Sequence, residues 1–436
     1  MNELMEQKGH ASIFAVLGPG ILVAATGVGA GDLLTASIAG SVVGASLLWA
    51  ASAGAILKYF LTEGVARWQM ATRTTLLEGW LTRFGPWWQW VFLSYLLLWS
   101  FFVGGALVSA CGVAGAGLLP LGNDLRLSKA VWGVVHSLAG YCMVRFGGYR
   151  FFEKVMSGMI GLMFVTVTLT ALMMRPDLSV VLRGCLLPTI PKEGVGWMIG
   201  LLGGVGGTVT LLSYGYWIRE RERRGLEGLR ISRLDLGAGY LMTALFGLSM
   251  VMIGSQVRIE QGPAIAMELA SQIELILGPT GRWLFLFGFW GAVFSSLLGV
   301  WQSVPYLFAD TSSLMRGRRR NPENLAVKDG SLKPYETFPL SETRAYRWYL
   351  SGITVAPLCL LWVSVQQVQL IYAMFGAFFM PMLALSLLIM NNRVEWVGKA
   401  FRNGWIVNSA LAITLLFFVY VAAREVVARA VTLFGL

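Results

Sequence analysis

The chain has 436 residues, 56% of them hydrophobic and 13% charged, with a formal net charge of +11 and a mean hydropathy of +0.65. Soluble domains carry about 25% charged residues, so this chain cannot cover a water-facing surface. Its 17 Trp, 24 Phe and 13 Tyr exclude disorder, and its 52 glycines follow no triplet period, which excludes collagen. A multi-spanning membrane protein remains.

Uncharged runs place spans near 13–42, 45–66, 87–118, 129–144, 153–174, 195–218, 235–256, 282–309, 347–365, 368–390 and 403–423. Backbone groups in lipid must bond within their own segment, so these are helices. They show none of the ten-residue alternation of a membrane barrel. The fourth span is the shortest, bounded by Lys129 and Arg145. The run 348–392 must hold two helices, and Gln366, Gln367 and Gln369 mark the turn between them.

Lys and Arg concentrate on the cytoplasmic side of membrane proteins. With the N-terminus inside, 24 of the 34 fall inside, nine fall outside and Lys58 lies within a span. The expectation is an all-α protein of the cell membrane with eleven spans, its N-terminus cytoplasmic and its C-terminus outside. Arg316–Gly317–Arg318–Arg319–Arg320 reads as a cytoplasmic loop against anionic lipid, not as a nucleic-acid patch. No signal-peptide cleavage pattern is evident. Cys111, Cys142, Cys185 and Cys359 have neither disulfide nor metal-ligand spacing.

The equipment of an enzyme is missing. The two histidines are His10 and His136, and no H-E-x-x-H, G-x-S-x-G or P-loop occurs. A charge inside a span is expensive and therefore marks function. Asp32 follows Thr26–Gly27–Val28–Gly29–Ala30–Gly31 in the first span. Each glycine costs a helix about 1 kcal/mol relative to Ala, so this segment should unwind and place Asp32 near the start of a second half-helix. Freed carbonyls beside a carboxylate make a cation site of hard oxygens.

The sixth span repeats the design with Gly203–Gly204–Val205–Gly206–Gly207–Thr208–Val209–Thr210, followed by Ser213, Tyr214 and Tyr216. Two broken helices at corresponding positions of two five-helix halves point to a transporter site at the repeat interface. The candidate binding residues are Thr26, Gly29, Asp32, Gly207, Thr210 and Ser213. Lys58, Gln302 and Ser303 are candidate pathway residues. Lys58 either snorkels to the cytoplasmic side, the favoured reading, or balances Asp32. Glu63 and Glu153 read as interfacial, His136 as a packing residue, and Trp87, Trp88 and Trp90 as an interfacial belt.

Several motifs resemble the Nramp divalent-metal transporters. They are Gly18–Pro19–Gly20–Ile21–Leu22–Val23, Ala39–Gly40, Leu47–Leu48–Trp49, Thr72 with Glu78, Gly148–Tyr149–Arg150–Phe151–Phe152–Glu153, Pro188–Thr189–Ile190–Pro191, Gly206–Gly207–Thr208–Val209, Phe379–Met380–Pro381 and Met390–Asn391–Asn392–Arg393. The resemblance covers nearly the whole chain. It implies a LeuT-type fold with two inverted five-helix repeats, near 13–174 and 195–390, and an added helix near 403–423. It also implies transport of divalent metals, usually with protons.

Departures from the family pattern fall at the metal site. Its Asp-Pro-Gly-Asn signature reads Gly29–Ala30–Gly31–Asp32 here, so a carboxylate stands at the Asn position and the Asp is lost. Its Met-Pro-His reads Thr210–Leu211–Leu212, and its carbonyl-donating position corresponds to Gly207. The resemblance is therefore to a divergent branch, similar to the Nramp-related magnesium transporters in having altered ligands. Losing the thioether shifts preference toward hard cations, so Mg²⁺ or Mn²⁺ is expected over Fe²⁺ or Cd²⁺. Losing the His argues against proton coupling. The metal is cargo, no cofactor is implied, and the oligomeric state stays open. The alternatives are a Na⁺-coupled transporter of an organic solute, its pocket lined by Tyr214, Tyr216 and Trp217, and a non-transporting membrane sensor.

Overall fold

The computed structural model describes residues 18–204, 207–257, 265–316 and 340–434, and every regular element among them is helical. His10, Val205, Gly206 and the basic residues Arg318, Arg319 and Arg320 lie outside the described residues, as does the side chain of Asp32.

The first span is two helices, α1 (Gly18–Gly27) and α2 (Ala30–Val43). The Val28 amide closes α1 on the Ala24 carbonyl at 2.9 Å, and the Leu33 amide opens α2 on Gly29 at 3.0 Å. Asp32 thus lies in the first turn of α2, as expected. Gly44 turns the chain with a φ of +63° into a short 3-10 turn and then α3 (Leu48–Thr72). α4 (Leu76–Phe84) starts with a reciprocal cap between Thr75 and Glu78. α5 (Pro86–Leu118), α6 (Leu125–Phe146) and α7 (Gly148–Met173) follow. The short fourth span is therefore a full helix, capped by Asp124 on the Arg126 and Leu127 amides.

An amphipathic helix that hydropathy alone does not reveal, α8 (Leu178–Leu186), precedes the second interrupted span. That span consists of α9 (Val195–Gly204), a 3-10 turn over Val209–Leu212, and α10 (Ser213–Glu220). α11 (Gly225–Ser255) is continuous. α12 (Ile265–Met315) bends at Gly278, where φ is 69° and Pro279 follows. α13 (Arg344–Val355) tightens into a 3-10 turn over Ala356–Trp362. α14 (Val365–Met390), the short α15 (Val394–Val397) and α16 (Trp405–Phe434) complete the chain.

Two sequence expectations are corrected here. The break within 348–392 falls at Val363 and Ser364, because Ser364 caps α14 on the Gln367 amide; Gln366, Gln367 and Gln369 are inside that helix. Glu63 is not interfacial but buried, accepting from Arg67 and from Arg233 Nε at 2.8 Å.

Five helical stretches among the described residues are long and apolar enough to cross a membrane: Thr35–Thr72, Pro86–Leu118, Phe151–Met173, Gly225–Ser255 and Met267–Met315. Shorter apolar helices cover Gly18–Gly27, Phe378–Met390 and Trp405–Val421.

α11 backs both halves of the first span. A Cβ on Gly239 would lie 2.4 Å from the Gly20 carbonyl oxygen, and one on Gly40 would lie 2.2 Å from that of Val251. A Cβ on Gly254 would lie 2.0 Å from the Ser37 oxygen. Small residues let these backbones meet, which is how membrane helices gain packing where lipid gives no hydrophobic drive between them.

Candidate functional site

Unwinding at Val28 and Gly29 turns backbone oxygens away from helical hydrogen bonding, and α12 supplies them with hydroxyls. Ser296 Oγ lies 2.9 Å from the Val28 oxygen and 3.2 Å from those of Ala25 and Thr26. Ser295 Oγ lies 3.2 Å from the Ala25 oxygen. A serine has a single hydroxyl proton, so Ser296 serves one carbonyl at a time.

The second interruption approaches the first directly. Gly207 has a φ of +85°, which an L side chain adopts only with strain, and Thr208 follows with φ −132° and ψ −100°. A Cβ on Gly207 would lie 2.7 Å from Thr210 Oγ1 and 3.3 Å from Gly27 Cα. The two breaks thus approach each other closely at Gly207 and Gly27, where an added Cβ would be tight.

Both breaks open onto one cavity of about 10 Å³, close to the least that admits a water-sized body. Its lining comprises Thr26, Gly27 and Gly29 from the first break and Gly207 and Thr210 from the second. α5 adds Trp99, Val103 and Leu107, α12 adds Ser296 and Val300, and α14 adds Tyr372. The oxygens on offer are hydroxyls and backbone carbonyls, which suit hard cations. Among the described residues no group of three His, Cys, Asp or Glu side chains is placed to hold a metal.

Four predicted residues, Thr26, Gly29, Gly207 and Thr210, therefore meet at this cavity. Ser213 is buried but does not line it, and its hydroxyl has no partner among the described residues. Gln302 and Ser303 also lie away from it. Gln302 Oε1 accepts from Trp217 Nε1 at 3.0 Å, which ties α10 to α12.

Lys58 does not snorkel. It is 1% exposed, and its Nζ donates to the Gly203 carbonyl at 2.8 Å, at the end of α9. His136 packs as expected. Trp290 Nε1 donates to its Nε2 at 2.8 Å, so Nδ1 carries the proton and donates to the Trp132 carbonyl at 2.7 Å.

Two buried acids organise the far end of α10. Asp235 takes the Gly20 amide at 2.8 Å, Arg223 at 2.7 Å and the Tyr214 hydroxyl at 3.0 Å. Asp310 takes the hydroxyls of Tyr216 at 2.6 Å and Thr75 at 3.0 Å. Arg221 pairs with Glu153. Tyr214, Tyr216 and Trp217 are thus engaged in fastening α10 and do not line the cavity. Both acids stand at the edges of apolar runs, where sequence alone reads a span boundary. Ser296, Trp99 and Tyr372 carry no signal that separates them from ordinary span residues.

Comparison with known proteins places the chain by fold and by sequence. In fold, the chain is similar to a mutant form of the Eremococcus coleocola manganese transporter, with a TM-score of 0.72 at 16% identity over 98% of this chain and 90% of that one. It is more distantly similar to MhsT in complex with L-phenylalanine, with a TM-score of 0.54 at 15% identity over 93% and 98%. In sequence it is 22% identical to an uncharacterised Pasteurella multocida protein over 65% of this chain and 66% of that one. It is 25% identical to the divalent metal cation transporter MntH of Chromohalobacter salexigens, over 61% and 62%. The matches thus span less than two thirds of those relatives' lengths. The family model described as natural resistance-associated macrophage protein-like matches residues 20–428, and the chain belongs to this Nramp family.

Proposed function

We propose that this membrane protein is a secondary transporter that takes up a divalent metal cation through the meeting point of its two interrupted helices. The observation that carries this reading is the cavity shared by Thr26, Gly29, Gly207 and Thr210. Four residues from opposite halves of the sequence converge on it, with oxygen donors suited to a hard cation. Asp32, in the first turn of α2, supplies the negative charge in this reading.

Eleven spans in two inverted five-helix repeats, with the N-terminus cytoplasmic, complete the proposal. The 24-to-9 distribution of Lys and Arg supports that orientation. An inside-negative potential favours entry of a divalent ion by about 4.6 kcal/mol per 100 mV, so uptake needs no coupled proton. The hydroxyl and carbonyl lining supports a hard divalent ion, Mg²⁺ or Mn²⁺.

The test is uptake of Mn²⁺, Mg²⁺ and Ca²⁺ into proteoliposomes, with and without a pH gradient. The expected result is Mn²⁺ or Mg²⁺ entry driven by membrane potential and lost in Asp32→Ala. Unchanged uptake by Asp32→Ala would overturn the site.

A further inference from the structure

The helix α8 (Leu178–Leu186) has one packed side and one bare side. Asp177 caps its start on the Ser179 amide at 2.8 Å. Gly184 is its buried residue, and a Cβ there would lie 2.2 Å from the Ala45 carbonyl oxygen, in the turn that joins the first and second spans. Just past the helix, Trp49 Nε1 donates to the Thr189 carbonyl at 3.1 Å. At 3.6 residues per turn, Leu178, Leu182 and Leu186 stack into one ridge on the side opposite Gly184. They are 69%, 50% and 74% exposed. Ser179 and Arg183, both exposed, lie beside this ridge.

Two tethers hold α8 at the level where spans end. The candidate span of α7 runs to Met173. The five steps from Met173 to Leu178 reach at most about 18 Å fully extended, and Arg175 shortens them by turning the chain with a φ of +50°. The other tether is the Gly184 contact with the turn after α2. The apolar surface is also continuous, because Leu172 and Met173 at the end of α7 are exposed like the ridge. A leucine ridge beside an arginine, at the depth where a span leaves the hydrocarbon, matches the boundary between lipid headgroups and acyl chains.

We infer that α8 is an interfacial helix whose partner is the phospholipid leaflet, with Leu178, Leu182 and Leu186 set among the upper acyl chains and Arg183 among the phosphates. It thereby ties the turn between α2 and α3 to the membrane surface through Gly184. The inference rests on the chain spanning a membrane and holds whichever ion is carried.

The experiment is site-directed spin labelling of the full-length chain in phospholipid nanodiscs. Leu182→Cys, Leu186→Cys and Arg183→Cys are each made in a background with Cys142, Cys185 and Cys359 replaced by Ala, while the buried Cys111 is kept. Power saturation then compares oxygen, which partitions into lipid, with a nickel chelate, which stays in water. The expected result is several-fold greater access for oxygen than for nickel at positions 182 and 186, with the order reversed at 183. Nickel access at 182 and 186 equal to that at 183 would put the ridge in water and overturn the inference. Low access to both reagents, with dipolar broadening between labels, would show a second copy of the chain covering the ridge and would overturn it too. Either leucine position decides alone where the other variant fails to fold.

Discussion

The Ser296 hydroxyl lies 2.9 Å from the Val28 carbonyl oxygen, across the gap between α12 and the break in the first span. An alcohol from a continuous helix thus steadies the oxygens that an interrupted helix releases. Ser296→Ala leaves those oxygens without their donor at a cost of about 1–3 kcal/mol. The unfolding temperature should fall. The KM for divalent uptake should rise about tenfold, the equivalent of about 1.4 kcal/mol. Ser296→Thr, which keeps the hydroxyl, should recover part of both, as read by unfolding and by radiotracer or fluorescent-indicator uptake.

Gly207→Ala tests whether the meeting of the breaks matters. The added methyl would sit 2.7 Å from Thr210 Oγ1 at a φ of +85°. The left-handed conformation alone costs about 1–2 kcal/mol, and the methyl would press on a cavity of about 10 Å³. Uptake should drop at least about tenfold while the chain stays monodisperse on size exclusion. Gly196→Ala, where no atom lies within 4 Å of the new Cβ, should transport normally.

The Arg223–Asp235 pair holds α1 and α10 to α11, because Asp235 also accepts from the Gly20 amide and Tyr214. Asp235 is wholly buried. Asp235→Asn should destabilise the fold by about 3 kcal/mol, since it takes the buried carboxylate away from the Arg223 guanidinium. Removing both charges, as Arg223→Met with Asp235→Leu, should recover part of that loss. Thermal unfolding of the two variants beside wild type measures the difference.

Gly254→Ala probes the packing of α2 on α11. Its methyl would come within 2.0 Å of the Ser37 carbonyl oxygen, and backbone cannot yield as a flexible side chain can. Overpacking of this kind costs about 1–3 kcal/mol or more. The yield of folded monomer on size exclusion should fall sharply. Gly237→Ala, on the same helix but facing open space, should behave as wild type.

The membrane-embedded helices were legible because charge-free runs and glycine clusters are local properties. Hydrophobic length measures the cost of leaving water, and Gly27, Gly29 and Gly207 weaken a helix wherever they sit. Those signals marked both interruptions, and the family resemblance picked out Gly207 and Thr210 within the second. Partners were another matter. Ser296 is one of many span serines, Asp235 and Asp310 stand at the ends of apolar runs, and Lys58 read as a snorkelling side chain.

Which carbonyl Ser296 serves, and that Lys58 ends on Gly203 rather than in the headgroups, depend on helices far apart in the chain. The same holds for the close approach of Gly207 to Gly27. Such pairings are set by how packed helices bring distant backbone together. No periodicity within one segment encodes them, so only the tertiary structure decided them.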